Sequence, residues 1–146
     1  MNFKVAIGNR GCALVCIHGN SSSSNVFDTI ESEYTKYLIT FIDLANELDV
    51  EMVCIATELK ISVQKREKYW RDLITYLRTI YKGQLIYAAN WDNYLNVPFW
   101  DALDYIGVDA YFPLTDEKTP SKKHLVSAWQ PTKMKLRALS RKYDKK

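Results

Sequence analysis

The chain alternates short apolar segments with longer amphipathic segments, and this alternation constrains its fold more than any other feature. Four apolar segments have the length of β-strands: 13–17, 51–56, 84–89 and 105–110. Between them, apolar residues recur every three or four positions, which predicts helices over 29–48 and 64–81 and a short helix near 98–103. Strands that are apolar on both faces and are joined by helices form parallel sheets with helical cover. We therefore predict an α/β fold of about four βα units with a parallel sheet.

The helical patterns also predict which side chains are buried. In the first helix the buried stripe is expected to contain Tyr34, Tyr37, Leu38, Phe41, Ile42, Leu44, Ala45 and Leu48. In the second helix it is expected to contain Tyr69, Trp70, Leu73, Ile74, Leu77 and Ile80. Gly83 is expected to cap the end of the second helix. Residues 18–25 and 111–120 are predicted loops, and Pro131 is expected to open a last helix at its first position.

Two architectures fit such a sheet: a small doubly wound sheet, or part of a (β/α)8 TIM barrel. The chain has five glycines, and no glycine-rich phosphate loop follows any predicted strand, which disfavours a nucleotide-binding doubly wound fold. Hydrophobic residues make up 47% of the 146 residues and charged residues 25%, so the composition excludes wholesale disorder. No apolar run approaches the roughly 20 residues of a membrane-spanning helix, so we expect no membrane partner.

Positive charge is concentrated near the end of the sequence. The net charge is +3, yet residues 131–146 contain seven lysines and arginines against one aspartate. Such a segment could contact phosphates in a nucleic-acid-binding module. A solvated helix face is the simpler explanation, and we expect no nucleic-acid partner.

The three cysteines, Cys12, Cys16 and Cys54, do not make a disulfide framework. Cys12 and Cys16 could supply half of a zinc site, but a closed site needs four ligands and the only histidines are His18 and His124. Cys54 lies in an apolar strand, where a thiol behaves as a small apolar residue. We therefore expect no metal site, a reducing compartment and, for the sequence as it stands, a cytoplasmic location. A longer N terminus could carry an export signal.

Polar and aromatic side chains follow three of the predicted strands. They are Glu58 after the second strand, Asn90, Trp91 and Asp92 after the third, and Asp109 and Tyr111 at the end of the fourth. Because active sites of parallel α/β folds form at the carboxyl ends of strands, we expect these groups to converge. Sugar-cleaving sites are built from such groups. One carboxylic acid protonates the glycosidic oxygen, and a second carboxylate attacks the sugar or activates water.

Each of these residues also has an ordinary structural alternative. Glu58 could cap a helix or face solvent, and Asp109 could accept hydrogen bonds from loop N–H groups. Among the aromatic residues, Trp91 and Tyr111 at strand ends are the better candidates for a sugar platform. Tryptophans within helical patterns, Trp70 and Trp100, are expected in the core.

Several long segments resemble the TIM-barrel glycoside hydrolases of family 113. They are 52–59 (MVCIATEL), 69–74 (YWRDLI), 87–92 (YAANWD) and 99–113 (FWDALDYIGVDAYFP). The family comprises retaining enzymes typified by β-1,4-mannanases, with catalytic glutamates after the fourth and seventh barrel strands. The resemblance covers about residues 27–144, and residues 1–25 match poorly. It implies that residues 1–146 form an incomplete TIM-barrel domain covering roughly barrel strands three to six.

The resemblance also implies roles for individual residues. Glu58 stands at the position of the general acid/base, and Ala56 stands where the family usually has glycine. The residues that would face the substrate are Asn90, Trp91, Asp92, Asp109 and Tyr111. No metal or organic cofactor is implied, because cleavage by two carboxylates needs neither.

The family's nucleophile is a glutamate on a strand that would follow the last residues of this sequence. The resemblance therefore implies a truncated hydrolase with little or no turnover alone. Bare sheet edges would favour self-association. The alternative function is a non-catalytic carbohydrate-binding or assembly module. The expected partner in either case is a polysaccharide or an oligosaccharide.

Overall fold

Strands and helices alternate along the part of the chain that the structure, a computed structural model, describes. It describes residues 3–7, 12–17 and 24–146, with side chains from residue 27 onward. The elements are β1 (Phe3–Ile7), β2 (Cys12–Ile17), α1 (Ser24–Glu47), β3 (Met52–Thr57), α2 (Lys60–Lys65), α3 (Glu67–Ile80), β4 (Gln84–Asn90), β5 (Tyr105–Asp109) and α4 (Lys122–Tyr143). Two short 3₁₀ turns, Tyr94–Asn96 and Trp100–Ala102, lie between β4 and β5.

The strands form one sheet in the order β1-β2-β3-β4-β5. Strands β2 to β5 are parallel, which confirms the predicted fold class. Strand β1 is antiparallel to β2 and was not predicted. A five-residue segment that includes a lysine shows too little alternation to be told from a loop. Of the predicted loop 18–25, residues 18–23 lie outside the described residues, and the last two already belong to α1.

Helix α1 buries one continuous stripe, as the sequence predicts. The stripe consists of Phe27, Glu31, Tyr34, Leu38, Ile42 and Ala45. The prediction that Leu44 and Leu48 belong to it is wrong, since these side chains are 41% and 61% exposed. Leu44 lies two positions from Ile42, about 200° around the helix. Leu48 lies beyond the end of α1, where the chain turns at Asp49 with φ of 50°.

The segment predicted as one helix over 64–81 is two helices, α2 and α3. Arg66 separates them with φ −123° and ψ 38°, and its guanidinium binds the carboxylates of Glu31 and Asp28 in α1. Four of the six residues predicted for the inner face of α3 are buried, and the first and last of the six are partly buried. The buried residues are Trp70, Leu73, Ile74 and Leu77, and the partly buried ones are Tyr69 and Ile80.

Gly83 is not the cap of α3, contrary to the prediction. Tyr81 takes that position in an extended conformation, and its N–H donates to the Leu77 carbonyl. The Tyr81 ring lies across Gly83, so that a Cβ at residue 83 would fall 2.2 Å from the tyrosine oxygen. That oxygen donates to the Val50 carbonyl at 2.6 Å. Glycine is therefore required here by the close approach of a ring rather than by a helix end.

Helix α4 is continuous through Pro131, so the prediction that Pro131 opens a helix is wrong. The helix begins after Ser121, whose hydroxyl accepts a hydrogen bond from the His124 N–H. Its C-terminal half packs on the core through Leu139, with Leu136 and Tyr143 beside it. Its basic residues largely face solvent, as predicted.

The core lies between the helices and one face of the sheet. In β4 the side chains alternate, so that Leu85, Tyr87 and Ala89 are buried while the intervening side chains are partly exposed. The ring of Tyr87 packs among Trp70, Phe99 and Trp100, whose centroids lie 5.9–6.2 Å from it. Both of these tryptophans are buried, as predicted. None of the described helices is both long enough and apolar enough to cross a membrane.

Candidate active site

The carboxyl ends of β3, β4 and β5 lie side by side at one edge of the sheet. Thr57 pairs with Ala88 across β3 and β4, and Asn90 pairs with Asp109 across β4 and β5. Glu58 follows Thr57 directly. The structure thus brings Glu58, Asn90 and Asp109 to neighbouring positions at this edge.

Glu58 has a left-handed backbone, with φ of 57°. Its N–H donates to the Ala88 carbonyl at 2.9 Å, so the sheet ladder itself fixes this conformation. Left-handed backbone is uncommon for glutamate and costs about 1 kcal/mol or more. The other described non-glycine residues with positive φ, Asp49 and Asp144, follow helix ends, where aspartate often adopts it. Backbone strain at a residue that does not follow a helix end is typical of functional sites.

A β-bulge precedes Glu58 and depends on a contact from α1. The pairing of β3 with β4 shifts between Cys54 and Ala56, which leaves Ile55 without a register partner on β4. The Tyr34 hydroxyl donates a hydrogen bond to the Ile55 carbonyl. Burial raises the pKa of Tyr34 well above its ordinary value, so this donor keeps its proton at physiological pH. Tyr34 therefore acts as a positioning residue for the end of β3.

The segment after β4 is held by its own backbone and by one ion pair. The Asn90 amide oxygen accepts from the Trp91 N–H at 2.8 Å, and the Asn90 carbonyl accepts from the Asn93 N–H at 2.9 Å. The Lys60 ammonium binds Asp92 Oδ2 at 2.8 Å. Lys60 was not predicted, although its position two residues after Glu58 was a signal. This pair ties the loop after β4 to the loop that carries Glu58.

Asp109 lies at the end of β5 with a carboxylate oxygen in an unusual state. Its Oδ2 is buried and has no hydrogen-bond partner among the described residues. Burial raises the pKa of the Asp109 carboxyl above its ordinary value. Burial also raises the pKa of the Tyr87 phenol, and the charges of Glu58 and Asp109 raise it further. An unpaired buried carboxylate oxygen costs free energy, which makes Asp109 a candidate functional residue at this edge.

The aromatic surface beside this edge is built differently from the prediction. The Tyr111 ring is 80% exposed and takes part in no described ring contact. The next residue, Phe112, instead packs edge-to-face against Trp91, with centroids 6.3 Å apart. Phe112 also contacts Tyr94 and Trp129 at 5.8 and 5.4 Å. Phe112 was not predicted, because the sequence does not indicate which of the neighbouring rings, Tyr111 or Phe112, turns inward.

A cleft of about 350 Å³ opens between the loop after β4, the segment after β5 and α4. Trp91 and Asp92 line one side of it, and Thr132 and Lys135 of α4 line the other. Neither Glu58 nor Asp109 belongs to its lining. The cleft is therefore a neighbour of the carboxylate edge and shares one wall with it.

Metal ligation finds no support among the residues whose side chains are described. No group of three or more histidine, cysteine or acidic side chains converges there. Cys54 is buried, and its Sγ donates to the Ala56 carbonyl at 3.2 Å, which fits the predicted structural role. The side chains of Cys12 and Cys16 lie outside the described part of the chain.

Successive βα units with carboxylate and amide side chains at the carboxyl edge of the sheet fit the class of TIM-barrel glycoside hydrolases. Residues 17–146 match the sequence profile of Glycoside Hydrolase Family 113. The chain belongs to this family, as the sequence resemblance implied.

Solved structures of family members share the fold. The β-mannanase AaManA from Alicyclobacillus acidocaldarius, in complex with ManMIm, is 25% identical with a TM-score of 0.69. Two GH113 β-1,4-mannanase structures, one of a complex, are each 28% identical with TM-scores of 0.68 and 0.67. Each similarity covers 82% of this chain and 34% of the other chain, so the match spans about a third of the mannanases. No curated protein sequence matches the chain significantly.

Proposed function

We propose that this chain provides the acid/base part of a retaining hydrolase that cleaves β-1,4-mannan-type polysaccharide. The observation that carries the proposal is Glu58, held in a left-handed backbone at the carboxyl edge beside Asn90 and Asp109. In this proposal Glu58 protonates the glycosidic oxygen as the bond breaks and then activates water. Asn90 and Asp109 bind sugar hydroxyls, and Trp91 and Tyr111 contact the apolar faces of sugar rings.

The described carboxylates near Glu58 are poorly suited to be the nucleophile. Asp92 Oδ2 is engaged by the Lys60 ammonium at 2.8 Å. Asp109 has a buried Oδ2 without a described hydrogen-bond partner, and burial raises the pKa of its carboxyl. Retaining cleavage requires a second carboxylate about 5–5.5 Å from the acid. We therefore propose that the nucleophile comes from a further strand, and that residues 1–146 alone have little or no turnover.

The free edge of β5 supports a position for that strand. The Ile106 N–H on this edge donates to the Lys146 carbonyl at 2.8 Å. A strand parallel to β5 that began at this bond would have its carboxyl end at the same edge of the sheet as Asp109. Such a strand could belong to a longer form of this chain or to another copy, which makes self-association through this edge part of the proposal.

A chimeric barrel tests the acid/base assignment. In it, residues 17–146 replace the matching segment of the Alicyclobacillus acidocaldarius β-mannanase. We expect hydrolysis of β-1,4-mannohexaose, and we expect Glu58→Gln to lower kcat by about 10²- to 10⁴-fold, the usual contribution of acid/base catalysis. Glu51→Gln, at the opposite end of β3, is the matched control and should retain activity. Full turnover by a folded Glu58→Gln chimera would refute the assignment.

The second candidate function is a non-catalytic carbohydrate-binding module. It is favoured by the raised pKa and the unpaired Oδ2 of Asp109, which suit a binding group better than a nucleophile. A folded, inactive chimera together with saturable binding of mannohexaose by the 146-residue chain would select this function. Absence of both activity and binding would exclude the two candidates together.

A further inference from the structure

Helix α1 carries a second apolar stripe beside the one that faces the core. This α1 stripe consists of Tyr37, Phe41, Leu44 and Leu48, at alternating spacings of four and three residues. The rings of Tyr37 and Phe41 lie with their centroids 4.7 Å apart, and Phe41 is half-buried. Both leucines are exposed. Apolar residues at this spacing form the seam along which two helices pack side by side.

The α1 stripe points away from the helix that already neighbours α1. On the side of that neighbour, the Thr35 hydroxyl lies 3.1 Å from the Tyr69 hydroxyl of α3. Leu44 lies nine residues after Thr35, about 180° around the helix. Because α1 connects β2 to β3 and α3 connects β3 to β4, the stripe faces outward at the β2 end of the helical layer.

The flank of the α1 stripe that lies away from the core is acidic. Helix α1 contains five acidic residues and one lysine. Glu33 and Glu47 on this flank are exposed. Glu33 binds Lys36 at 2.8 Å in a largely exposed pair, which contributes little to stability, and Glu47 belongs to no ion pair among the described side chains. An apolar seam flanked by carboxylates suits a basic partner helix.

Helix α4 has the complementary face at the other end of the helical layer, after β5. It contains seven lysines and arginines and no acidic residue. Leu139 marks its buried side. The outer side is the α4 face, which consists of the exposed residues Val126, Met134, Arg137 and Arg141, all within about 80° around the helix. Neither arginine belongs to an ion pair among the described side chains.

We propose that the α1 stripe of one copy of this chain packs against the α4 face of a second copy, head to tail. The apolar groups of the two faces leave water together, and the methylene stems of the arginines extend the apolar contact. The guanidinium of Arg137 packs on the ring of Phe41, and Glu47 pairs with Arg141. A second α1 helix is a poor occupant, because the two acidic flanks would repel each other.

This contact joins two different faces, so each copy offers one of each to its neighbours. The inference goes beyond the proposed function, because it involves neither a sugar nor the carboxyl edge of the sheet. It also differs from pairing at the free edge of β5, since it is made by side chains of helices rather than by strand backbone.

Sedimentation velocity of the 146-residue chain at increasing protein concentration tests the contact. We expect reversible association that Leu44→Gln and Arg137→Glu each weaken at least about 10-fold. The matched controls are Tyr76→Gln, at an exposed ring of α3, and Lys82→Glu, at an exposed residue after α3, and both should associate like the parent chain. All four positions are exposed, so unchanged melting temperatures will show that folding is intact.

Mixing the two interface variants tests the head-to-tail arrangement. Leu44→Gln keeps an intact α4 face and Arg137→Glu keeps an intact α1 stripe, so the mixture should form a complex at concentrations where neither variant associates alone. Failure to form this complex would overturn the arrangement. Association of the parent chain that survives both substitutions would place the contact elsewhere, as at the β5 edge, and would also overturn it.

A parent chain that stays monomeric at every concentration would overturn the inference and leave the α1 stripe to a different helix. The chimeric barrel tests the proposed function separately. Its hydrolysis depends on Glu58 and not on contact between copies of the 146-residue chain, so either proposal can fail without the other.

Discussion

The amide N–H of Glu58 donates a hydrogen bond to the carbonyl of Ala88, 2.9 Å away on the neighbouring strand. The bond extends the pairing of β3 with β4 by one residue past Thr57, the last residue of β3. It also holds Glu58 at φ of 57°, a conformation that its side chain disfavours. The position of the candidate acid/base is therefore set by the sheet and by the Tyr34 hydroxyl on the bulge, at a cost in backbone strain.

Replacing Glu58 with glycine should separate stability from function. Glycine accepts positive φ without strain, so we expect Glu58→Gly to leave the free energy of unfolding unchanged or to raise it by up to about 1 kcal/mol. In the chimeric barrel the same variant should lose hydrolysis. Glu51→Gly, where φ is not positive, should instead lose about 0.5–1 kcal/mol. Urea unfolding measures the free energy of unfolding of both variants. A decrease of more than about 1 kcal/mol for Glu58→Gly would show that the glutamate side chain stabilises the fold.

Asp109 should make stability depend on pH. Burial raises the pKa of its carboxyl, so the folded state holds this proton more tightly than the unfolded state. The contribution of this carboxyl to the free energy of unfolding is fully present below the pKa of about 3.9 that it has in the unfolded state. The contribution is lost as pH rises through the pKa of the folded state. Asp109→Asn removes the ionisable group, so its melting temperature should exceed that of the parent chain at pH 7. At about pH 3 the difference should vanish, because both side chains are then neutral.

The exposed Asp43 provides the control for this pH dependence. Asp43→Asn should change the melting temperature by a similar small amount at both pH values. A melting temperature of Asp109→Asn that falls below the parent's only at pH 7 would mean that the Asp109 carboxylate is stabilised by a partner, contrary to its unpaired Oδ2.

Lys60 should affect binding more than stability. Its ion pair with Asp92 is largely exposed, with side chains 49% and 38% accessible, so Lys60→Met should change the free energy of unfolding by less than about 1 kcal/mol. Without the pair, Asp92 and Trp91 are no longer fixed relative to Glu58, and mannohexaose should bind about 3-fold more weakly. Lys60→Arg should restore binding because it keeps the charge. Equal affinities of Lys60→Met and the parent chain for mannohexaose would show that Lys60 does not contribute to the binding site.

The parts of the fold that follow from local periodicity were predictable from the sequence. Tyr34, Leu38 and Ile42 recur at helical spacing, and all three are buried. Leu44 is apolar like the residues of that stripe, but it lies on a different face of the helix. The prediction included it because of its apolar side chain. The strand ends were predictable for the same reason, since apolar runs stop where polar residues begin.

The details of the site depend on contacts between residues far apart in the sequence. The ion pair of Lys60 with Asp92 joins positions 32 residues apart, and the bond from Tyr34 to Ile55 joins positions 21 apart. The inward turn of Phe112 depends on its packing against Trp129 of α4. Such contacts are set by sheet register and helix placement, which periodicity does not specify.

The continuity of α4 yields a test of its own, because Pro131 lies inside the helix and is exposed. A proline there removes one backbone hydrogen bond, and in an exposed helix interior it is about 3 kcal/mol less favourable than alanine. Pro131→Ala should therefore raise the free energy of unfolding, by about 1–3 kcal/mol. Ser121→Ala removes the N-cap hydroxyl and should lower it by about 1 kcal/mol. If a separate helix began at Pro131, Pro131→Ala would be neutral or destabilising, and urea unfolding of the two variants distinguishes these arrangements.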